Sequence, residues 1–168
     1  MKEKFWAKGL ALGCIFILSM VLVATAFAGE YDSLQGVDSI KAVFDFRDGV
    51  PASANVHLKL AHMTFQDKNL RQISDPPKFA VVFMGSAVKL LSSNRDGYSA
   101  EDKKALDEMT ETIKAMAKDR IQLEVCMFAV NFFKVDPATL PPEIKQVGNG
   151  WVSSIAYQAQ GYGLVPVF

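Results

Sequence analysis

Lys78-Phe79-Ala80-Val81-Val82-Phe83-Met84, preceded by Asp75-Pro76-Pro77 and closed by Gly85-Ser86, decides the fold. After its first residue the run is apolar throughout. Such a strand has no face to offer to water and belongs in a parallel sheet covered on both sides. The proline pair breaks the chain before it, and Gly-Ser punctuates its end.

Reading outward from that strand gives alternating elements. Upstream, residues 40–46 are strand-like and end at the turn signal Arg47-Asp48-Gly49. Residues 51–66 admit two readings. Val56, Leu58 and Leu60 alternate as in a strand, whereas Val56, Leu60 and Met63, with Leu58, Ala61 and Phe65, cover two faces of a helix. The length of the stretch and Pro51 near its start favour a substantially buried helix. Downstream, a short apolar segment (87–91) and a polar loop (92–98) lead to the clearest helix, from Ser99 to about Lys118. Ser99 can cap it, and Leu106, Met109, Ile113 and Met116 form one apolar stripe at spacings of three and four. Residues 121–125 read as a third strand that delivers Cys126 at its carboxyl end, and 127–133 as a short, very apolar helix. After a proline-stiffened loop come a fourth strand at 144–147, a helix opened by Gly148-Asn149-Gly150, and a last strand at 163–167. That helix carries Val152, Ile155, Ala156 and Ala159 on one face. The alternation predicts an α/β domain: a three-layer α/β/α sandwich around a mostly parallel sheet of about five strands, with Rossmann- or flavodoxin-like alternation.

The first residues have another character. Lys2, Lys4 and Lys8 make a basic start, an apolar run extends from Gly9 to Phe27, and Ala26-Phe27-Ala28 is an A-x-A cleavage site. Together these read as a secretory signal peptide cleaved after Ala28. The alternative is an uncleaved anchor, since about 19 apolar residues can just span a bilayer. The expected organisation is therefore a signal peptide (1–28), a polar lead-in (29–38) and one domain (39–168), in a periplasmic or secreted protein with no membrane attachment after cleavage. Cleavage takes three lysines and one acid, Glu3, from an even balance of 18 and 18, leaving a net charge of about −2. No basic patch of the kind nucleic acid demands remains. Cys14 leaves too, so Cys126 stands alone, with no internal disulfide and no multi-cysteine zinc site.

In open parallel sheets, ligands bind beyond the carboxyl ends of the strands. Those ends supply Asp45 and Asp48, Gly85-Ser86, Cys126, and Gly148-Asn149-Gly150. Cys126 is the most reactive group among them. As the cap of the helix beginning at Met127, it would have its thiolate stabilised by the helix amides. Among Met127, Phe128, Val130, Phe132 and Phe133 it could equally be a small buried hydrophobe. Gly85, Ser86, Gly148, Asn149 and Gly150 are the candidate lining of a site there. His57 and His62, five apart, lack the i, i+4 spacing of a metal pair, and no metal is expected. Gly148-Asn149-Gly150 lacks the third glycine of a dinucleotide fingerprint, so no cofactor is expected either.

The stretch from Phe79 to Phe168 resembles the DsrE/DsrF-like family. The likeness rests on the ordered set Val82 to Leu91, Glu124-Val125-Cys126, Leu140-Pro141, Val147-Gly148-Asn149-Gly150, Gln158 and Gly161-Tyr162. The resemblance implies an α/β sandwich around a parallel sheet and assembly into oligomers, a homo-oligomer in the simplest case. In the family's sulfur-relay members a cysteine carries sulfur as a persulfide, a role that maps onto Cys126. A sulfur donor or acceptor protein, or a small thiol, would be the partner. The alternative within the same fold is a non-catalytic oligomeric module with an inert, buried Cys126.

Overall fold

The computed structural model describes residues 31–168, so the expected signal segment and its cleavage site lie outside the described residues. Five strands, β1 (Lys41–Phe46), β2 (Lys78–Phe83), β3 (Gln122–Cys126), β4 (Lys145–Val147) and β5 (Gly163–Val167), form one sheet in the order β4-β3-β2-β1-β5. Every pairing is parallel. The helices are α1 (Pro51–Gln66), α2 (Lys68–Ile73), α3 (Ala100–Lys118), α4 (Met127–Phe132) and α5 (Gly150–Ala159), and a 3₁₀ stretch covers Gly85–Leu91. The three-layer α/β/α expectation holds.

Handedness explains the layers. Right-handed crossovers from β1 to β2 and β2 to β3 step the same way across the sheet, so α1 and α3 share a face and pack on each other. The step from β4 back past β1 to β5 runs the other way, and α5 lies over β1, β2 and β3 on the opposite face.

The two faces differ in chemistry. Phe44, Phe46, Phe79, Val81, Phe83, Leu123 and Val125 point toward α1 and α3 and are buried, with Phe44–Phe79 and Phe46–Phe83 ring pairs at 5.3 and 5.2 Å. From α1 come Ala54, Leu58, Ala61 and Phe65; from α3 come Leu106, Met109, Ile113 and Met116. Ser99 caps α3 as expected, its Oγ accepting the Asp102 N–H at 3.1 Å. Toward α5 the residues in register are Asp45, Val82, Glu124 and Lys145. Beyond Lys78, β2 is apolar on both faces, whereas β1 and β3 place Asp45 and Glu124 on the α5 side.

Two expectations need correction. Helix α1 is buried on one side only: Val56, Leu60 and Met63 are exposed, because among the described residues no element packs on its outer side. The apolar stripe of α5, with Val152 and Ile155, likewise faces outward, while the small and polar Gly150 and Ser154 face the sheet. Helix α2, capped by Asp67 through the Asn69 and Leu70 amides, was not anticipated.

The outer edge of β5 is also specialised. The Val167 carbonyl accepts the Arg47 N–H at 2.8 Å, so Val167, and by alternation Val165 and Gly163, turn their backbone groups toward β1. Pro166 therefore sits where the strand's outward N–H would be.

Candidate functional site: a cysteine cleft at the carboxyl ends of the strands

Cys126 ends β3, and one further step of the sheet register brings Arg47, Met84 and Cys126 into one row beneath the start of α5. Side chains two apart share a face, so Arg47 follows Asp45, Met84 follows Val82 and Cys126 follows Glu124 on the α5 side. They border a cleft of about 480 Å³ whose other walls include Phe128, Phe132, Phe133 and Trp151. Cys126 lies at its floor, 5% exposed.

Gly150 lets α5 come down onto this row. A Cβ there would stand 2.6 Å from Met84 Sδ and 3.0 Å from Cys126 Cβ, closer than packed atoms tolerate. Asn149 lines the cleft and caps α5, its Oδ1 accepting the Trp151 N–H at 2.9 Å. The Gly148 carbonyl accepts the Phe128 N–H at 3.1 Å, which ties the first turn of α4 to the β4–α5 loop.

Gly85 lines the cleft with φ at +56°, a conformation that favours glycine. Ser86 plays a supporting part: its Oγ donates to the Arg47 carbonyl at 3.2 Å. A Cβ on Gly49 would stand 2.6 Å from Ser86 Cβ, so this turn too depends on a missing side chain. Of the six predicted residues, Cys126, Gly85 and Asn149 line the cleft. Gly150 packs against the cysteine, and Gly148 and Ser86 brace the walls.

Cys126 is the N-cap residue of α4, as the sequence suggested, but the helix gives its sulfur little support. The helix's six residues leave a weak dipole, the Sγ takes no capping hydrogen bond, and the Phe128 amide is spent on Gly148. The local cation is Arg47, which the sequence presents as part of a turn. Its Nε and Nη2 donate to Asp45 Oδ1 and Oδ2 at 2.8 and 2.9 Å. The Asp45 hydrogen bond holds the guanidinium above its usual pKa against the opposing effect of burial, and a charged Cys126 acts in the same direction as Asp45. Among the described residues that line the cleft, Arg47 is the only Lys, Arg, Asp or Glu. Its spacing of two from Asp45 was the available signal, but only the sheet register brings it to Cys126.

The two histidines have structural partners. His57 Nδ1 lies 2.9 Å from Asp48 Oδ2, and His62 Nε2 lies 2.7 Å from Asp119 Oδ2, joining α1 to the residue that ends α3. Among the described residues no cluster of three or more His, Cys, Asp or Glu is arranged to hold a metal.

A parallel α/β sandwich with a cysteine at the end of a central strand defines the class. Residues 41–167 match the DsrE/DsrF-like family, and the chain belongs to it. The family includes sulfur-relay subunits. An uncharacterized protein of Aquifex aeolicus is 22% identical over 152 residues, covering 90% of this chain and 62% of that protein, so the chain spans about three fifths of that relative. Among solved structures, a protein of unknown function, MTH1491 from Methanobacterium thermoautotrophicum, is similar with a TM-score of 0.57 at 12% identity, covering 76% of this chain and 99% of that one. The ychN protein from E. coli gives 0.47 at 16% identity, covering 77% and 99%.

Proposed function

We propose that the protein is an exported DsrE-like sulfur carrier in which Cys126 takes up sulfane sulfur as a persulfide. The observation that supports this reading is the placement of Cys126 at the floor of a cleft bordered by Arg47. The Cys126 thiolate attacks the outer sulfur of a donor persulfide. An S–S bond forms at Cys126 as the donor's S–S bond breaks, and the donor leaves as a thiolate, so no oxidant is needed. The donor is a carrier protein or a small thiol, and Arg47 offsets the charge that builds in the cleft. Export follows from the basic start, the apolar run and the Ala26-Phe27-Ala28 site.

Alkylation of the native mature protein, followed by mass, tests the reading. Labelling at Cys126 without denaturant, and a gain of about 32 Da on exposure to a sulfane donor, are expected. A thiol that reacts only after unfolding ends the proposal. Export is tested on the protein recovered from outside the cytoplasm, which should begin at Gly29.

A second reading, a non-catalytic oligomeric module, draws on a different observation. Phe128 and Phe132 on α4 are each 70% exposed, and Trp151, Val152 and Ile155 on α5 are similarly open. No charged residue occurs from 146 to 168. This uncharged apolar surface suits a second copy of the same chain. Light scattering should report a multiple of the monomer mass that falls in Trp151→Glu, and a monomer at all concentrations would remove this reading.

A further inference from the structure

At the opposite, amino ends of the strands lies a second cleft, of about 640 Å³, that the cysteine chemistry does not use. Its wall includes Glu124, which is 8% exposed. The Tyr157 hydroxyl donates to Glu124 Oε1 at 3.2 Å, while Oε2 is buried with no partner. A buried carboxylate oxygen without a donor is costly and calls for an explanation. Ser154 Oγ, three residues before Tyr157 on the sheet-facing side of α5, is also buried and unpartnered.

The same cleft is bordered by Lys78, Arg120 and Lys145. Among the described residues none of the three makes an ion pair, although Lys145 is the register neighbour of Glu124 on the sheet. Asp119, the other acid of the cleft, is already committed to His62 and Gln66. Burial first, and then the Glu124 charge, push the Tyr157 hydroxyl well above its usual range, so it remains a fixed donor. The cleft thus offers one carboxylate oxygen that lacks a donor and three cations that lack an anion.

We infer that this cleft binds a small zwitterion of the free amino-acid type, its ammonium meeting Glu124 and its carboxylate meeting Lys145. Neither half alone satisfies both sets of groups. A simple anion leaves Glu124 unpartnered, and a simple amine adds to the surplus of positive charge. The volume fits a small molecule, and the cleft opens at the amino end of β3, with Glu124 two residues before Cys126 on the same face. It stands or falls independently of the persulfide.

Amide-resolved NMR titration of the protein with L-alanine, propionate and ethylammonium tests the site. L-Alanine should shift the amides of Glu124, Lys145 and Tyr157 with a Kd of about 10 mM or tighter, and each half-ligand should bind at least about tenfold more weakly. Glu124→Gln should erase the preference for L-alanine over propionate. Lys145→Gln, an exposed position that leaves the core untouched, should weaken both. No shift with L-alanine, equal binding of L-alanine and propionate, or affinity unchanged in both variants would overturn the inference.

Discussion

Arg47 and Asp45 meet through two parallel hydrogen bonds, at 2.8 and 2.9 Å, beside the cleft that holds Cys126. The pair makes the cleft nearly neutral while keeping a guanidinium next to the sulfur. Asp45→Asn would leave that cation uncompensated and should raise the rate of Cys126 with iodoacetate, relative to neutral iodoacetamide, by about three- to tenfold. Arg47→Met should lower the same ratio. Rates that keep their ratio in both variants would show that the guanidinium does not act on the thiol.

Gly150 is where α5 touches the row of Met84 and Cys126. Gly150→Ala should cost about 1–3 kcal/mol, read from the urea midpoint, because the new methyl has no space. Gly148→Ala is the control, since no atom lies within 4 Å of a Cβ there. Equal losses in the two variants would argue against close approach as the cause.

The one-sided burial of α1 makes a paired prediction. Leu58 is fully buried, and Leu58→Ala should cost about 2–5 kcal/mol. Leu60, 57% exposed, should change stability by no more than about 0.5 kcal/mol when cut to alanine. Chemical denaturation of the two variants distinguishes them directly.

Stability should fall in acid through two carboxylates. Hydrogen bonding from His62 holds Asp119 below its ordinary value of 3.8, overcoming a smaller opposing effect of burial. At Asp48, burial pushes the carboxyl up, but bonds from Ser53, the Val50 amide and His57 together outweigh it and leave the group lowered. A depressed folded pKa gives stability that is fully present above the unfolded value and is lost as pH falls through the folded one. The urea midpoint should therefore drop between about pH 5 and about pH 2, and less steeply in Asp119→Asn. An identical slope in that variant would exclude Asp119 as a contributor.

The parallel sheet was legible because β2, Lys78–Phe83, is apolar on both faces, and the Cys126 position followed from the end of β3. The inward stripe of α3 was legible too, but the inner faces of α1 and α5 stayed hidden. Helix α1 is apolar on two sides, so periodicity cannot say which side meets the sheet. Helix α5 presents Gly150 and Ser154 inward and Val152 and Ile155 outward, against the usual rule. Its underside matches the polar row of Asp45 and Glu124, a pairing that only the fold creates. Arg47 was hidden for a related reason: its neighbours at the site, Met84 and Cys126, are distant in sequence and adjacent only through strand register.

The placement of Pro166 bears on how these molecules can meet. A neighbouring strand that tried to extend the sheet past β5 would find a pyrrolidine ring where it needs a donor. On the far side, β4 offers just three residues as a template. Both borders of the sheet are thus poor templates for a further strand.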